Sequence, residues 1–432
     1  MAPFFPVNSA DWRATPAILT HSITGAGPHG FSGIGAQPPQ RQGRAGGLLE
    51  RVHLALEPEV VDDQLADVLE HLAERGGRVL DRIGALRRLM FAKDYVGFLL
   101  TGEIATDMSD ASGTLWLATG QRDWSDEVLQ ACGMERRQMP RLHEGSHVAG
   151  WLKPELCQRW GMPARVAVAA GAGDNAASAV GMGVVQPGQG FVSLGTSGVI
   201  FVCAQAHAPH TDKGLHAFCH ALPNRWHHMS VMLSAASAFG WVTRLTGRGD
   251  EAQLSDAVSV LNTTRQAQAP LFLPYLSGER TPHNNAAATG VFMGLRAEHE
   301  AADLAYAVME GVGFGLLDGL NAMRAAGAGQ GGAARRDDAA LALVGGGARS
   351  NPWAQLLASA LGTPLQRPQG AHAAAALGAA RLAAMACGGD EAHWCQPLPA
   401  DATFMPQPAQ QAQLAERYAR FVALYPALQS QF

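Results

Sequence analysis

"GAGDNAASAVG", residues 171–181, sets one ionisable side chain, Asp174, in a run of mostly glycine and alanine. The apolar "ARVAVAAG" (164–171) before it and "FVSLGTSGVIFV" (191–202) after it read as strands, which makes 174–182 a short helix of small residues. Asp174 then stands where a strand ends and a helix begins. A carboxylate at such a point can take a proton from a substrate hydroxyl, and small neighbours leave room for the substrate to approach. Aspartate also suits a helix N-cap, and one residue can serve both ends.

Downstream the same α/β texture continues. "APLFLPYL" (269–276) reads as a strand, 300–326 as a long helix, and "LALVGGGARSNPWAQLLASALG" (341–362) as strand, glycine turn and helix. Strand, glycine turn, helix therefore occurs twice. Two comparable halves with a cleft between them would suit that pattern.

Several segments carry candidate chemistry. In "SLGTSGVI" (193–200), Gly195, Thr196, Ser197 and Gly198 offer backbone N–H groups and two hydroxyls that suit phosphate oxygens, or else form a tight hairpin turn. In "LVGGGARSNPW" (343–353), Gly346 and Gly347 let a flat or charged ligand come close to the backbone, or simply join strand to helix. Asn351 can bond a base edge or cap the helix there. "HAFCHALPNRWHHM" (216–229) crowds His216, Cys219, His220, His227 and His228; without nearby carboxylates or a second thiol pair they read as buried or cleft-lining histidines, and no metal ligand is assigned. "LSGERTPHNN" (276–285) faces a ligand or holds a structural Glu279–Arg280 pair.

Composition bounds the function. The chain has 432 residues, 47% hydrophobic and 16% charged, enough for two or three domains. A net charge of -5 without a dense Lys/Arg run gives no footprint for nucleic acid, and no apolar run reaches the ~18 residues of a membrane span. Six scattered cysteines without a CxxC, and no signal-peptide pattern, point to the cytoplasm. Small molecules are the expected partners.

Residues 23–47 are rich in Gly, Pro and Gln and read as loop, while 48–90 read as charged helix broken at Gly76 and Gly77. The expected division is an atypical segment 1–89, the rest of an N-terminal domain over 90–203, and a C-terminal domain over 204–432.

Taken in order, "KDYVGFLLTGE" (93–103), "DMSDASGTLWL" (107–117), "RDWSDEVLQACG" (122–133), "QMPRLHEGS" (138–146), "GAGDNAASAVG", "SLGTSG", "FLPYLSGERTPHNN", "GVFMGLRAEHEAADLAYAVMEGVG" (290–313) and "LVGGGARS" resemble the FGGY carbohydrate kinases, and within them the xylulokinases, over residues 90–425. The resemblance implies a two-domain α/β fold of the ribonuclease-H/actin-like type with an interdomain cleft. It implies ATP-dependent phosphorylation of D-xylulose to D-xylulose 5-phosphate with Mg2+, and leaves open another sugar or polyol, an impaired family member that only binds nucleotide, and a homodimer. It gives Asp174 the role of general base, with Asn175 beside it at the sugar. Gly195, Thr196 and Ser197 fall to the ATP phosphates, and Gly346, Gly347 and Asn351 to the adenine side. Gly290, Gly294, Asp303 and Glu310 match the C-terminal signature. The family's opening Asp-Leu-Gly-Thr-Ser-type phosphate strand and Gln-Met-His-Gly sugar motif have no counterpart here, so the N-terminal domain is expected to be incomplete.

Overall fold

A computed structural model describes residues 88–247, 249–327 and 340–432. The expected loop over 23–47 and all but the end of the expected helical stretch 48–90 lie outside the described residues. The first described elements are α1 (Ala92–Thr101), β1 (Ala105–Asp107) and the single turn α2 (Met108–Ala111). β2 (Arg141–His143) pairs with β1 in parallel, and β3 (Val148–Trp151) with β4 (Ala167–Ala169) antiparallel. Helix α3 spans Asp174–Met182, the range that the small-residue pattern indicates. Left-handed Gly183 (φ 76°) ends it, a conformation that glycine adopts without steric cost.

One large sheet follows. Strands β5 (Gly190–Leu194), β6 (Gly198–Ala204), β7 (His216–Cys219) and β8 (Trp226–Met232) form an antiparallel set, and helices α4 (Ala236–Thr246) and α5 (Glu251–Ser259) come next. After the pair β9 (Leu271–Leu273) and β10 (Val291–Met293) comes the 25-residue helix α6 (Ala301–Ala325). The chain closes with β11 (Leu341–Val344), α7 (Asn351–Leu361), β12 (Leu365–Pro368), α8 (Ala374–Ala386), β13 (Ala400–Phe404) and α9 (Pro408–Leu428). The sheet order is β13-β12-β11-β5-β6-β8-β7, with β5, β11 and β12 parallel to one another.

Both faces of the sheet are covered because its central strands alternate apolar residues toward two cores. Val192, Leu194, Ile200 and Val202 join the larger core with Phe239, Phe314, Trp353 and Leu357 from α4, α6 and α7. Phe191, Phe201 and Cys203 point the other way, onto Ala179 and Met182 of α3 and Ala374 of α8. This two-residue period is what a strand buried on both sides requires. Glycines Gly311 and Gly319 let α6 lie close: a Cβ would stand 2.3 Å from the Phe272 carbonyl oxygen at the first and 2.4 Å from Ser230 Oγ at the second.

Two expectations are refined. The described part before α3 contributes only two-stranded pairings, so it is no counterpart to the seven-stranded sheet. The expected division at 203/204 falls inside β6, one residue before its end at Ala204, in the one sheet that hairpin pairing of β5 with β6 opens already at Gly190.

Candidate active site

The two glycine turns singled out in the sequence lie side by side. β5 and β11 pair in parallel with Ser193 opposite Val344, so the turns after Leu194 and Val344 leave the same edge of the sheet. Ligands of open α/β sheets bind at the carboxyl ends of such parallel strands. The contact is close: a Cβ on Gly345 (φ 94°) would sit 2.6 Å from the Leu194 carbonyl.

Gly195, Thr196 and Ser197 form a hairpin turn between β5 and β6, with the Gly195 N–H donating to the Ser197 carbonyl at 3.1 Å. The start of α4 braces it, since the Thr196 carbonyl accepts from Ala235 N at 2.9 Å and from the Ser237 hydroxyl at 2.7 Å. These anchors leave the Thr196 side chain exposed. The hairpin and phosphate readings are therefore compatible in one structure.

On the second turn the glycines divide. A Cβ on Gly347 would meet Leu194 Cδ2 and Cγ at 2.7 Å, and Leu194 is fully buried, so this glycine serves strand packing. On Gly346 a Cβ would meet nothing closer than Arg349 Nη2 at 3.9 Å, so its open face is free for a ligand. Asn351 does not cap α7: Ser350 does, accepting from Trp353 N at 3.3 Å. Asn351 Oδ1 instead accepts from Arg367 Nη1 at 3.0 Å, and Arg367 also donates to the Ala348 carbonyl and pairs with Asp401 at 3.0 Å. Arg349, Arg367, Pro368, Gln369, Gly370 and Asp401 line a shallow depression of about 510 Å³ beside this turn. Arg367 and Asp401 escaped the sequence reading because they stand on an edge pair, β12 and β13, whose strands carry no glycine signature.

Asp174 is exposed at the first position of α3; the N-cap position belongs to Gly173, which has no side chain, so α3 carries no side-chain cap. Its Oδ1 accepts from the Asn175 backbone N–H at 2.7 Å and from the Asn175 side-chain amide at 3.1 Å. No hydrogen bond ties it to the two glycine turns among the described residues. What connects them is packing, since Ala179 and Met182 on the same helix lie against Phe191 of β5.

The small residues of "GAGDNAASAVG" have a use that the sequence reading missed. Helix α8 crosses α3 so closely that a Cβ on Gly181 would be 1.8 Å from the Ala374 carbonyl oxygen, and one on Gly378 1.8 Å from that of Ala177. Removing side chains from α3 makes room for a helix.

Directly behind Asp174 lies a charged group in which Asp94 and Asp107 are buried and Lys93 and Asp110 are partly exposed. Lys93 Nζ pairs with Asp94, contacts Asp107 Oδ1 at 2.8 Å and approaches Asp110 Oδ2 to 3.6 Å. Burial works against the ammonium, but the three carboxylates outweigh it and hold Lys93 protonated well above the usual lysine range. Burial, reinforced by Asp107 and Asp94, pushes Asp110 up to about 7 against the opposing pull of Lys93. The sequence signal for this group was four charged residues within two short segments of a chain that is only 16% charged.

The histidine-rich segment is packing. His220, His227 and His228 are buried on or beside β7 and β8, and the His227 ring stacks on Phe201 with centroids 4.3 Å apart. Burial, with Arg225 nearby, pushes His220 down to about 3, and burial takes His228 to about 4. Among the described residues no three His, Cys, Asp or Glu side chains converge as metal ligands. The "LSGERTPHNN" loop is likewise built into the fold. Its Glu279 Oε1 accepts from the Arg280 backbone N–H at 2.7 Å, while Oε2 finds no hydrogen-bond partner among the described residues. Burial lifts this carboxyl to about 8. His283 stacks on Tyr425 of α9 at 3.6 Å between centroids.

Comparison with known proteins fits this arrangement. Residues 72–181 match the N-terminal domain model, and 190–387 the C-terminal domain model, of the FGGY family of carbohydrate kinases. The xylulose kinase of Escherichia coli K12 is 46% identical over 343 residues, covering 79% of this chain and 69% of its own length; that of Klebsiella pneumoniae is 44% identical over 344 residues, covering 79% and 68%. The crystal structure of the xyloylose kinase of Brucella ovis superposes with a TM-score of 0.76 at 41% identity, over 90% of this chain and 73% of that one. With both domain models matched in order and relatives of this identity over most of its length, the chain belongs to the FGGY family of carbohydrate kinases.

Proposed function

We propose that the chain phosphorylates D-xylulose at the expense of ATP, giving ADP and D-xylulose 5-phosphate. The observation that carries this reading is the parallel pairing of β5 with β11, which sets a hydroxyl-bearing turn beside a glycine turn with an open face. In this arrangement Thr196 and Ser197, with the N–H groups of their turn, hold the ATP phosphates. Gly346 and the depression lined by Arg349 and Arg367 take the nucleotide's other end. Asp174 accepts the proton of the sugar's terminal hydroxyl as that oxygen bonds to the γ-phosphorus and the bond to the ADP oxygen breaks. Asn175, bonded to its carboxylate, fixes the side chain's direction. Positioning and charge neutralisation supply most of the catalysis in such transfers.

Mg2+ belongs to the ATP as its counter-ion in this reading. The clustered carboxylates Asp94, Asp107 and Asp110 do not fit a cation site, because Lys93 already fills their centre. No step is assigned to a protein-held metal. We place the C-terminal domain's start at Gly190, where β5 begins, and the reaction in the cytoplasm, which six cysteines without a disulfide suit.

A coupled ADP-release assay with ketoses, polyols and aldoses tests the reading. Turnover with D-xylulose above the rest supports it; turnover with another sugar alone reassigns the substrate. Nucleotide binding without any turnover favours the second reading, an impaired family member, which residues 1–71 motivate by lying outside the family match.

A further inference from the structure

The charged group behind Asp174 takes no part in the chemistry above, yet it ends on the residue next to the base. Three backbone N–H groups anchor the segment that leads into α3. Ala170 N donates to the His147 carbonyl at 3.0 Å, Gly171 N to the Gly145 carbonyl at 3.2 Å, and Gly173 N to Ser109 Oγ at 3.1 Å. The last of these is the only one that ends on a side chain, and it immediately precedes Asp174. Ser109 in turn donates its hydroxyl to Asp107 Oδ2, and that oxygen also accepts from Ser109 N at 2.7 Å and Asp110 N at 3.2 Å. Asp107 is held on its other oxygen by Lys93 at 2.8 Å, and Lys93 by Asp94, whose Oδ2 accepts from Phe91 N at 3.2 Å at the start of α1. Asp107 is fully buried, and Ser109 and Asp94 are nearly so. Asp110 lies under Gly173, its Oδ1 3.4 Å from where a Cβ would stand.

We propose that Lys93, Asp107 and Ser109 form a positioning relay that fixes where α3 starts and hence where the Asp174 carboxylate stands. The geometry explains why charge is buried here at all. A neutral anchor at Gly173 would hold one hydrogen bond, whereas the ion pair stiffens the hydroxyl's own acceptor, and charge-assisted bonds are roughly twice as strong as neutral ones. The relay also ties the first turns of α1 and α2, which meet at Lys93 and Asp107, to that of α3 through Ser109. The inference rests on the reading of Asp174 as the base. Ser109 touches no substrate in it and acts only through Gly173.

The test uses the full chain with Ser109→Ala and Ser109→Thr and two readouts. Hydrogen–deuterium exchange of peptides covering 171–178 reads the anchor itself. Ser109→Ala should exchange there at least tenfold faster, and Ser109→Thr, which keeps the oxygen, should stay near wild type. Turnover reads the consequence: Ser109→Ala should lower kcat by about 10²-fold, the cost of a roughly 1 Å misplacement, with KM for ATP within twofold. Ser109→Thr should restore most of the rate. Unchanged exchange in Ser109→Ala overturns the relay. So does fast exchange with kcat within twofold of wild type, because the anchor would then be structural only. If the wild-type chain turns over no sugar, that result refutes the kinase reading, and the exchange measurement alone decides whether Ser109 fixes the start of α3.

Discussion

The crossing of α3 and α8 gives the sharpest mutational test of how Asp174 is placed. In Gly378→Ala the new methyl would start 1.8 Å from the Ala177 carbonyl oxygen, with the Gly181 N at 3.0 Å. Both obstacles are helix backbone, so no rotamer change relieves them. Carbon–oxygen contacts settle at about 3.3 Å, so the helices must part by roughly 1.5 Å or the methyl remains overpacked, at a cost of about 3 kcal/mol, the upper part of the usual range. Asp174 lies about two helix turns or fewer from the crossing, at the end of the same rigid nine-residue helix. A shift of even roughly 1 Å there should cost about 10² in turnover. Urea unfolding measures the first effect and the coupled assay, run where the variant is still folded, the second. Gly97→Ala on α1 is the control, since its Cβ would meet nothing within 4 Å and a helical alanine gains about 0.5–1 kcal/mol over glycine. A folded Gly378→Ala protein with wild-type stability and turnover would refute the view that the crossing sets the helix in place.

Further tests address single residues. Asp174→Asn should lower turnover about 10²- to 10⁴-fold, the range for general acid–base catalysis, with its urea midpoint unchanged; near-normal rates would remove it from the mechanism. Gly346→Val should weaken ATP binding at least tenfold by calorimetry while leaving the melting temperature alone, whereas Gly347→Val should destabilise the fold through Leu194, and equal ATP affinity in Gly346→Val would clear that turn of a ligand role. Arg417→Met should cost about 3–5 kcal/mol in urea, because it strands buried Glu310, now held by two 2.6 Å bonds, and frees the Ala267 and Pro270 carbonyls. Glu279 titrates in the fold at about 8, above the ordinary glutamate value of 4.5, so its contribution is intact below pH 4.5 and is lost as pH rises toward 8. Glu279→Gln should therefore gain stability over wild type by up to about 1.4 kcal/mol per pH unit across that window; a pH-independent difference would mean that the carboxyl ionises freely.

Much of the chain from α3 onward was legible because its signals are local. α3, α6, β11 and α7 fall where small-residue, periodic and glycine patterns put them, since each pattern sits within the element that it specifies. What escaped was non-local. Residues 374–386 read as an ordinary alanine-rich helix, and nothing within them names Ala177 and Gly181 as the surface they meet. The glycine run at 171–181 accordingly read as space for a substrate. Lys93, Asp107 and Ser109 were visible as residues of a resemblance but not as a chain of bonds, because a lysine's partners depend on how two helix starts converge. Gly346 and Gly347 of "GGGARS" looked equivalent until the neighbouring strand showed that Gly347 faces Leu194 and Gly346 does not.

The strand order has a consequence for how the protein is made. β5, β6, β8 and β7 are neighbours in the chain as well as in the sheet and can pair as soon as residue 232 has emerged, whereas the other edge of β5 waits for β11. At about 5–20 residues per second the roughly 150 intervening residues take on the order of 10 s to appear from the ribosome. During that interval Phe191, Val192 and Leu194 sit on a strand whose N–H and C=O groups along one side are unpaired, without the α7 and α8 side chains that later cover its two faces. Long-range parallel pairing is intrinsically slow. A nascent or prematurely released chain ending before Leu341 thus carries a lasting open edge flanked by apolar residues, the geometry from which strand-to-strand aggregation starts and which a chaperone would have to shield.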